Sequence, residues 1–223
     1  MDHFISFKNT IQNGERQVKL LTILHKKATN LLYCNPFTKQ LSKMKYTNIT
    51  FKYFVAAVLA VLGTWFLHEF AHWATSEFLG YETNMKFTAY PSGGSNITAW
   101  HRILISASGP IITILQATVI FIYLKKAWNK HLYLLLLIPL CMRILAGIFN
   151  LFKPNDEGRI SEYYNLGLYT IPILVNGFLF YMVYKTSRKH HLRKKFNVSI
   201  TLIVTVLTFI LTITDQISKI RIL

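Results

Sequence analysis

Acidic residues are scarce in this chain: nine Asp and Glu stand against 25 Lys and Arg in 223 residues, a formal net charge of +16. Cysteine is nearly absent. Cys34 and Cys141 sit in unlike contexts and make neither a CxxC pair nor a disulfide framework. No 20–50-residue period repeats, which argues against a solenoid. The first fifty residues contain no apolar h-region and so do not read as a cleavable signal peptide.

What the chain has in quantity is hydrocarbon. Hydrophobic residues make up 52% of it and mean hydropathy is positive, the composition of a membrane protein with several spans. Five apolar stretches are long enough to cross roughly 30 Å of hydrocarbon as helices. They lie near residues 51–74, 100–124, 131–152, 163–184 and 198–214. The expected fold is therefore all-α, a polytopic membrane bundle of about five transmembrane helices in contact with the lipid bilayer. Turn-rich segments separate the spans: YPSGGSN at 90–96, KPNDEG at 153–158 and the basic run KTSRKHHLRKK at 185–195. Residues 81–90, YETNMKFTAY, alternate polar and aromatic side chains and can pair as a small β-hairpin after the first span.

The positions of the basic residues decide what the charge means. Nine Lys and Arg precede or open the first span, and six fall between Lys185 and Lys195. The short second loop holds three, Lys125, Lys126 and Lys130. The loop at 75–99 has only Lys86, and the third has Lys153 and Arg159 beside Asp156, Glu157 and Glu162. This alternation is the positive-inside pattern of five spans with a cytoplasmic N-terminus, in a multi-pass protein of the cell membrane. Nucleic acid is not the implied partner. Residues 18–33, VKLLTILHKKATNLLY, can form an amphipathic helix on an anionic leaflet or a solvated basic tail. Asn48, Asn96 and Asn197 open Asn-x-Ser/Thr triplets, a short pattern common by chance.

The chemistry is concentrated at the end of the first span, in HEFAH at 68–72. Positions i and i+4 share a helix face, so His68 and His72 can present two imidazole nitrogens to one zinc ion, with Glu69 beside them. In this HExxH arrangement the glutamate takes a proton from the attacking water and later passes it to the leaving amine. Three ionisable groups at ligand spacing within a span are costly to bury for structural reasons alone. A catalytic zinc site needs a third protein ligand. Thr75 and Phe78 stand where a metzincin has glycine and histidine, which excludes that pattern, and Glu77 and Glu82 lie close to the same helix's end. The count of crossings brings span three back to the membrane face of the histidines. It delivers FNLFKPNDEGRI, residues 149–160, there. Asp156 is the favoured third ligand and Glu157 the alternative, although PND also suits an ordinary turn and helix cap. Arg143, Gly147 and Asn150 share one face of span three. They read either as a polar stripe lining the site, with Asn150 bonding a substrate backbone, or as an arginine that snorkels or satisfies a kink at Pro139.

These elements resemble the site-2 protease family of intramembrane zinc metalloproteases. Its core has HExxH on the first core helix, a Gly-Pro-containing second helix and an aspartate near one end of the third. Here HEFAH at 68–72, SASGP at 106–110 and FNLFKPND at 149–156 correspond. The resemblance covers about 51–160, where it implies a three-helix metalloprotease core, and leaves both ends unassigned; the charge pattern makes 1–50 a basic cytoplasmic or membrane-surface segment. Two additional transmembrane helices follow over 161–223. The resemblance implies Zn2+ as cofactor, Glu69 as general base, and a membrane-embedded protein or peptide as substrate, with 81–90 pairing to it. The six-residue second loop has no room for the PDZ-like sensor domain of some relatives. The family's third motif runs from asparagine and prolines to Leu-Asp-Gly, whereas this chain has Asn155-Asp156-Glu157-Gly158. The family also holds its zinc near the cytoplasmic side, whereas the charge count puts His68 at the outer end. The rival reading is a non-catalytic immunity, assembly or transport factor that keeps a metalloprotease-like core.

Overall fold

The computed structural model describes residues 19, 22–27, 49–85, 89–91 and 97–218. The sequence expectations for Cys34, for the turn at 92–96, for the Asn48 and Asn96 triplets and for most of the 18–33 helix lie outside them. Within that last segment, residues 22–27 are helical and exposed. The described residues from Ile49 onward form one compact unit. It contains α1 (Phe51–Phe78), β1 (Thr83–Met85), β2 (Ala89–Pro91), α2 (Ala99–Leu124), α3 (Lys130–Phe149), α4 (Asp156–Tyr163), α5 (Thr170–Lys189) and α6 (Lys194–Ser218).

Polar side chains fix where several helices begin. Thr50 accepts from the backbone N–H of Tyr53, Thr98 from that of His101, and Asn129 from those of His131 and Leu132. The buried stripe of α1 runs Tyr53, Ala57, Val61, Thr64, His68, His72 and Ser76, at steps of three and four. Its first half is mainly apolar and its second half polar. One helix therefore serves a hydrophobic core at one end of the bundle and a polar centre at the other. In the core, Tyr53, Tyr133, Leu136, Ile138, Leu179 and Ile200 are essentially inaccessible. Tyr53 donates to Lys130 O at 2.9 Å and Tyr133 to Asn197 Oδ1 at 3.1 Å, tying the starts of α1, α3 and α6 together.

α3 is the most enclosed of the long apolar helices and packs against α1, α2, α5 and α6. The outward faces are apolar too. Leu59, Leu115, Val119, Ile173 and Leu202 are all exposed, as expected where the solvent is lipid rather than water. Four described helices, α1, α2, α3 and the 194–214 stretch of α6, are long and apolar enough to cross a membrane.

The fourth expected span, 163–184, differs. Its helix starts at Thr170, not 163, because Asn165 and Gly167 have left-handed backbone (φ 56° and 81°) that ends α4 and separates it from α5. Asn176, Tyr181, Tyr184 and Lys185 within α5 lower its apolarity below that of the other four. α5 nonetheless runs the length of the bundle. Ile171 N donates to Ser161 Oγ at one end, while His190 Nε2 meets Leu124 O at 2.8 Å at the other.

β1 and β2 pair antiparallel with Asn84 opposite Tyr90. The sheet is anchored to the end of α1, where Thr83 donates through its N–H to Glu77 Oε1 (2.7 Å) and through its hydroxyl to Ser76 Oγ (2.6 Å).

Candidate metal centre

His68 and His72 lie ten and six residues before the end of α1, so the pair sits about 9–15 Å inside the helix terminus at 1.5 Å per residue. Both are buried, as is Glu69. Asp156 reaches them from the first turn of α4, a separate short helix capped by Asn155, whose side chain accepts from Gly158 N at 2.7 Å. The turn-and-cap role of PND and its approach to the histidines coexist: Asn155 caps the helix while Asp156 faces inward.

Three donor atoms converge. His68 Nε2 and His72 Nε2 are 3.1 Å apart, and Asp156 Oδ2 is 3.3 Å from each. Ligands about 2.0–2.1 Å from a tetrahedral zinc are about 3.3–3.4 Å from one another. The triangle therefore has nearly the edge length that such an ion requires. Among the described residues this is the group of His, Cys, Asp and Glu suited to hold a metal.

The surrounding contacts aim these donors. His72 Nδ1 lies 2.6 Å from Ile105 O, to which it donates, leaving Nε2 its lone pair. Arg159 Nη2 holds Asp156 Oδ1 at 2.8 Å, so Oδ2 remains as the single inward donor. Burial alone would raise the Asp156 carboxyl. His72 and His68 outweigh that effect and hold it well below the usual carboxylate range. His68 differs. Its Nδ1 faces Arg143 Nη2 at 2.9 Å, and a guanidinium can only donate. A neutral imidazole cannot accept there and also offer Nε2 to a metal. With a metal on Nε2, Nδ1 carries the proton and Arg143 keeps its bonds to Glu157 and Thr113 alone.

Glu157 Oε1 is 2.8 Å from Arg143 Nη1, and both side chains are buried. That contact puts Asp156, rather than the alternative Glu157, beside the histidines. Arg143 neither snorkels nor answers Pro139. Asn150 is buried in the turn, where its Oδ1 accepts from Asn155 N at 2.6 Å, and the cavity beside the histidines does not reach it. Its Oδ1 thus holds the turn, while its buried Nδ2 has no partner among the described residues. Gly147 faces α5 instead, near Asn176. Glu77 binds the sheet, and Glu82 lies outside the histidine group.

Glu69 Oε1 approaches His68 Nε2 at 3.9 Å from the side of a cavity of about 450 Å³. Trp65, Met142, Phe149 and Pro154 line it with Asp156, and Thr208 and Thr212 of α6 complete the wall. A metal there would have an open side next to a carboxylate, which is the layout of a hydrolytic rather than a closed structural site.

Two residues of the site carry little local signal. Arg159 is legible only as an i, i+3 partner of Asp156. Gly109 looks like ordinary helix packing, but a Cβ there would fall inside 3.0 Å of both imidazoles. The backbone of α2 is thus the floor under the histidines. Gly109→Ala is expected to weaken metal retention by about tenfold or more through displaced ligands. Gly177→Ala, with open space around its Cβ, should retain metal as wild type does. Metal analysis of the two purified variants checks this, and equal retention would contradict it.

No family model, curated protein or solved structure matches the chain.

Proposed function

We propose that the chain is a multi-pass intramembrane zinc metalloendopeptidase, similar in its core to the site-2 proteases, whose ligands are His68, His72 and Asp156. The observation that carries the reading is the near-equilateral triangle of Nε2, Nε2 and Oδ2 beside a buried glutamate and a cavity. Zinc, when bound, supplies Lewis-acid polarisation of the scissile carbonyl and of water at its open position. Glu69 takes the proton of the attacking water and delivers it to the leaving amide nitrogen. Arg159 keeps Asp156 in its single-donor pose, and Arg143 with Glu157 holds α4 against the spans.

A peptide bond within a lipid-embedded helix is shielded by its own hydrogen bonds, so the substrate must unwind locally. The β1–β2 sheet, anchored beside the site through Thr83, offers backbone groups for pairing with such an extended segment. The substrates that suit this arrangement are single-span proteins or leftover signal peptides. α5 serves as a fifth crossing, which returns the basic loops to one side and leaves the site on the other.

Metal analysis tests the reading. Wild type should purify with about one zinc per chain, and His72→Ala and Asp156→Ala should each lose most of it, because two ligands hold zinc far less well than three. Full zinc content in Asp156→Ala would remove Asp156 from the ligand set. Metal-free wild type would favour a transport role for the histidines.

A further inference from the structure

At the opposite end of the bundle from the histidines, α2 and α5 finish side by side. Lys189 Nζ donates to Lys125 O, and His190 Nε2 meets Leu124 O at 2.8 Å, so the two ends are clamped together. Between them lies a cavity of about 680 Å³ whose lining includes Lys125, Lys185, Arg188 and Lys189 and no acidic residue. Its lower wall is Phe121, Leu124, Tyr181 and Tyr184. The cations are laid over these rings: Lys125 Nζ is 4.5 Å from the Phe121 centroid and Lys185 Nζ 5.3 Å from that of Tyr181, whose hydroxyl it also bonds at 3.0 Å. Arg188 Cζ stands 5.9 Å from the Tyr184 centroid.

The simpler account is that these cations complement two helix C-termini. Each terminus supplies about half a negative charge, so together they offset about one of the four positive charges. About three remain without a carboxylate partner in the lining. An anion is the missing partner.

We propose that this cavity binds the phosphate headgroup of an anionic phospholipid from the adjoining leaflet. Shape separates a lipid from a free phosphate. From Lys189 to Tyr181 the wall runs eight residues, about 12 Å along α5, whereas one headgroup layer is only about 5–8 Å thick. The cavity therefore continues past the charged layer onto aromatic and aliphatic surface, where acyl chains lie. Tyr181 and Tyr184, which line it, are themselves half exposed and carry that surface outward. Basic pockets between spans at a membrane face have the chemistry for such headgroups.

Native mass spectrometry of the full chain, purified in mild detergent with equal phosphatidylglycerol and phosphatidylcholine, provides the test. Wild type should retain phosphatidylglycerol selectively, and Lys185→Gln/Arg188→Gln should retain about tenfold less or lower still. Lys194→Gln/Lys195→Gln removes the same charge at the same end outside the cavity and should retain it fully. The charge-keeping pair Lys185→Arg/Arg188→Lys should do so too. Equal loss in both Gln pairs, loss in the charge-keeping pair, or indifference between the two lipids would overturn the proposal. So would displacement of phosphatidylglycerol by inorganic phosphate at matched concentration, which would mark a free-anion site. None of these outcomes depends on zinc or on proteolysis.

Discussion

Glu69→Gln is expected to abolish turnover while zinc stays bound. The substitution preserves shape and the ability to accept a hydrogen bond, but an amide cannot take up the proton of the attacking water. A positioned general base accounts for about 10²–10⁴ in rate. A deeper loss would follow if the same carboxylate also protonates the leaving nitrogen. The metal should remain because the triangle of His68, His72 and Asp156 does not include Glu69. The measurement is cleavage of a membrane substrate processed by wild type, in parallel with zinc content. A Glu69→Gln protein that retains zinc and full biological activity would sink the enzyme reading in favour of a non-catalytic immunity or assembly role.

Arg143→Met carries the second large effect, on stability rather than chemistry. It leaves Glu157 buried beside α3 without its cation, and breaking one side of a buried pair costs about 3–5 kcal/mol. The double replacement Arg143→Met/Glu157→Met should recover most of that loss, since an intact buried pair contributes little net stability over apolar side chains of similar size. Unfolding in mild detergent, followed by helix content, reads the difference. The single variant should also lose zinc, because Glu157 is the neighbour of Asp156 on a helix of only eight residues. A single variant as stable as wild type would show that the pair does not hold α4 in place.

The parts of this site legible in the sequence are those that follow from helix geometry or from counting crossings. His68, Glu69 and His72 follow from the i, i+4 rule. Asp156 follows from parity: a chain that crosses three times returns residues 149–160 to the histidine end, however far away they lie in sequence. The role of Arg143 was not legible, because its partners His68, Thr113 and Glu157 lie on three other elements. A pattern along α3 shows only that a charge is present. Gly109 was hidden for a similar reason, since a glycine reads as close packing whatever it packs against. The bond from Asn155 N to Asn150 Oδ1 was not legible either, because the shared face with Arg143 says nothing of the turn that follows Phe149. The fourth expected span, 163–184, was legible only in part: its helix begins at Thr170 and is less apolar than the other four, although its contacts run from one end of the bundle to the other.

The wall that α6 contributes has a consequence for the order of biosynthesis. His68 and Glu69 come from the first long helix, Asp156 from mid-chain, and Thr208 and Thr212 from the last. Fifty-six residues separate Asp156 from Thr212, roughly 3–11 s of synthesis at about 5–20 residues per second. During that interval the nascent chain has all three donors but a cavity open to lipid on one side. Were the proposed zinc to bind, its three ligands would be in place before Thr208 and Thr212 complete the wall of the cavity beside it.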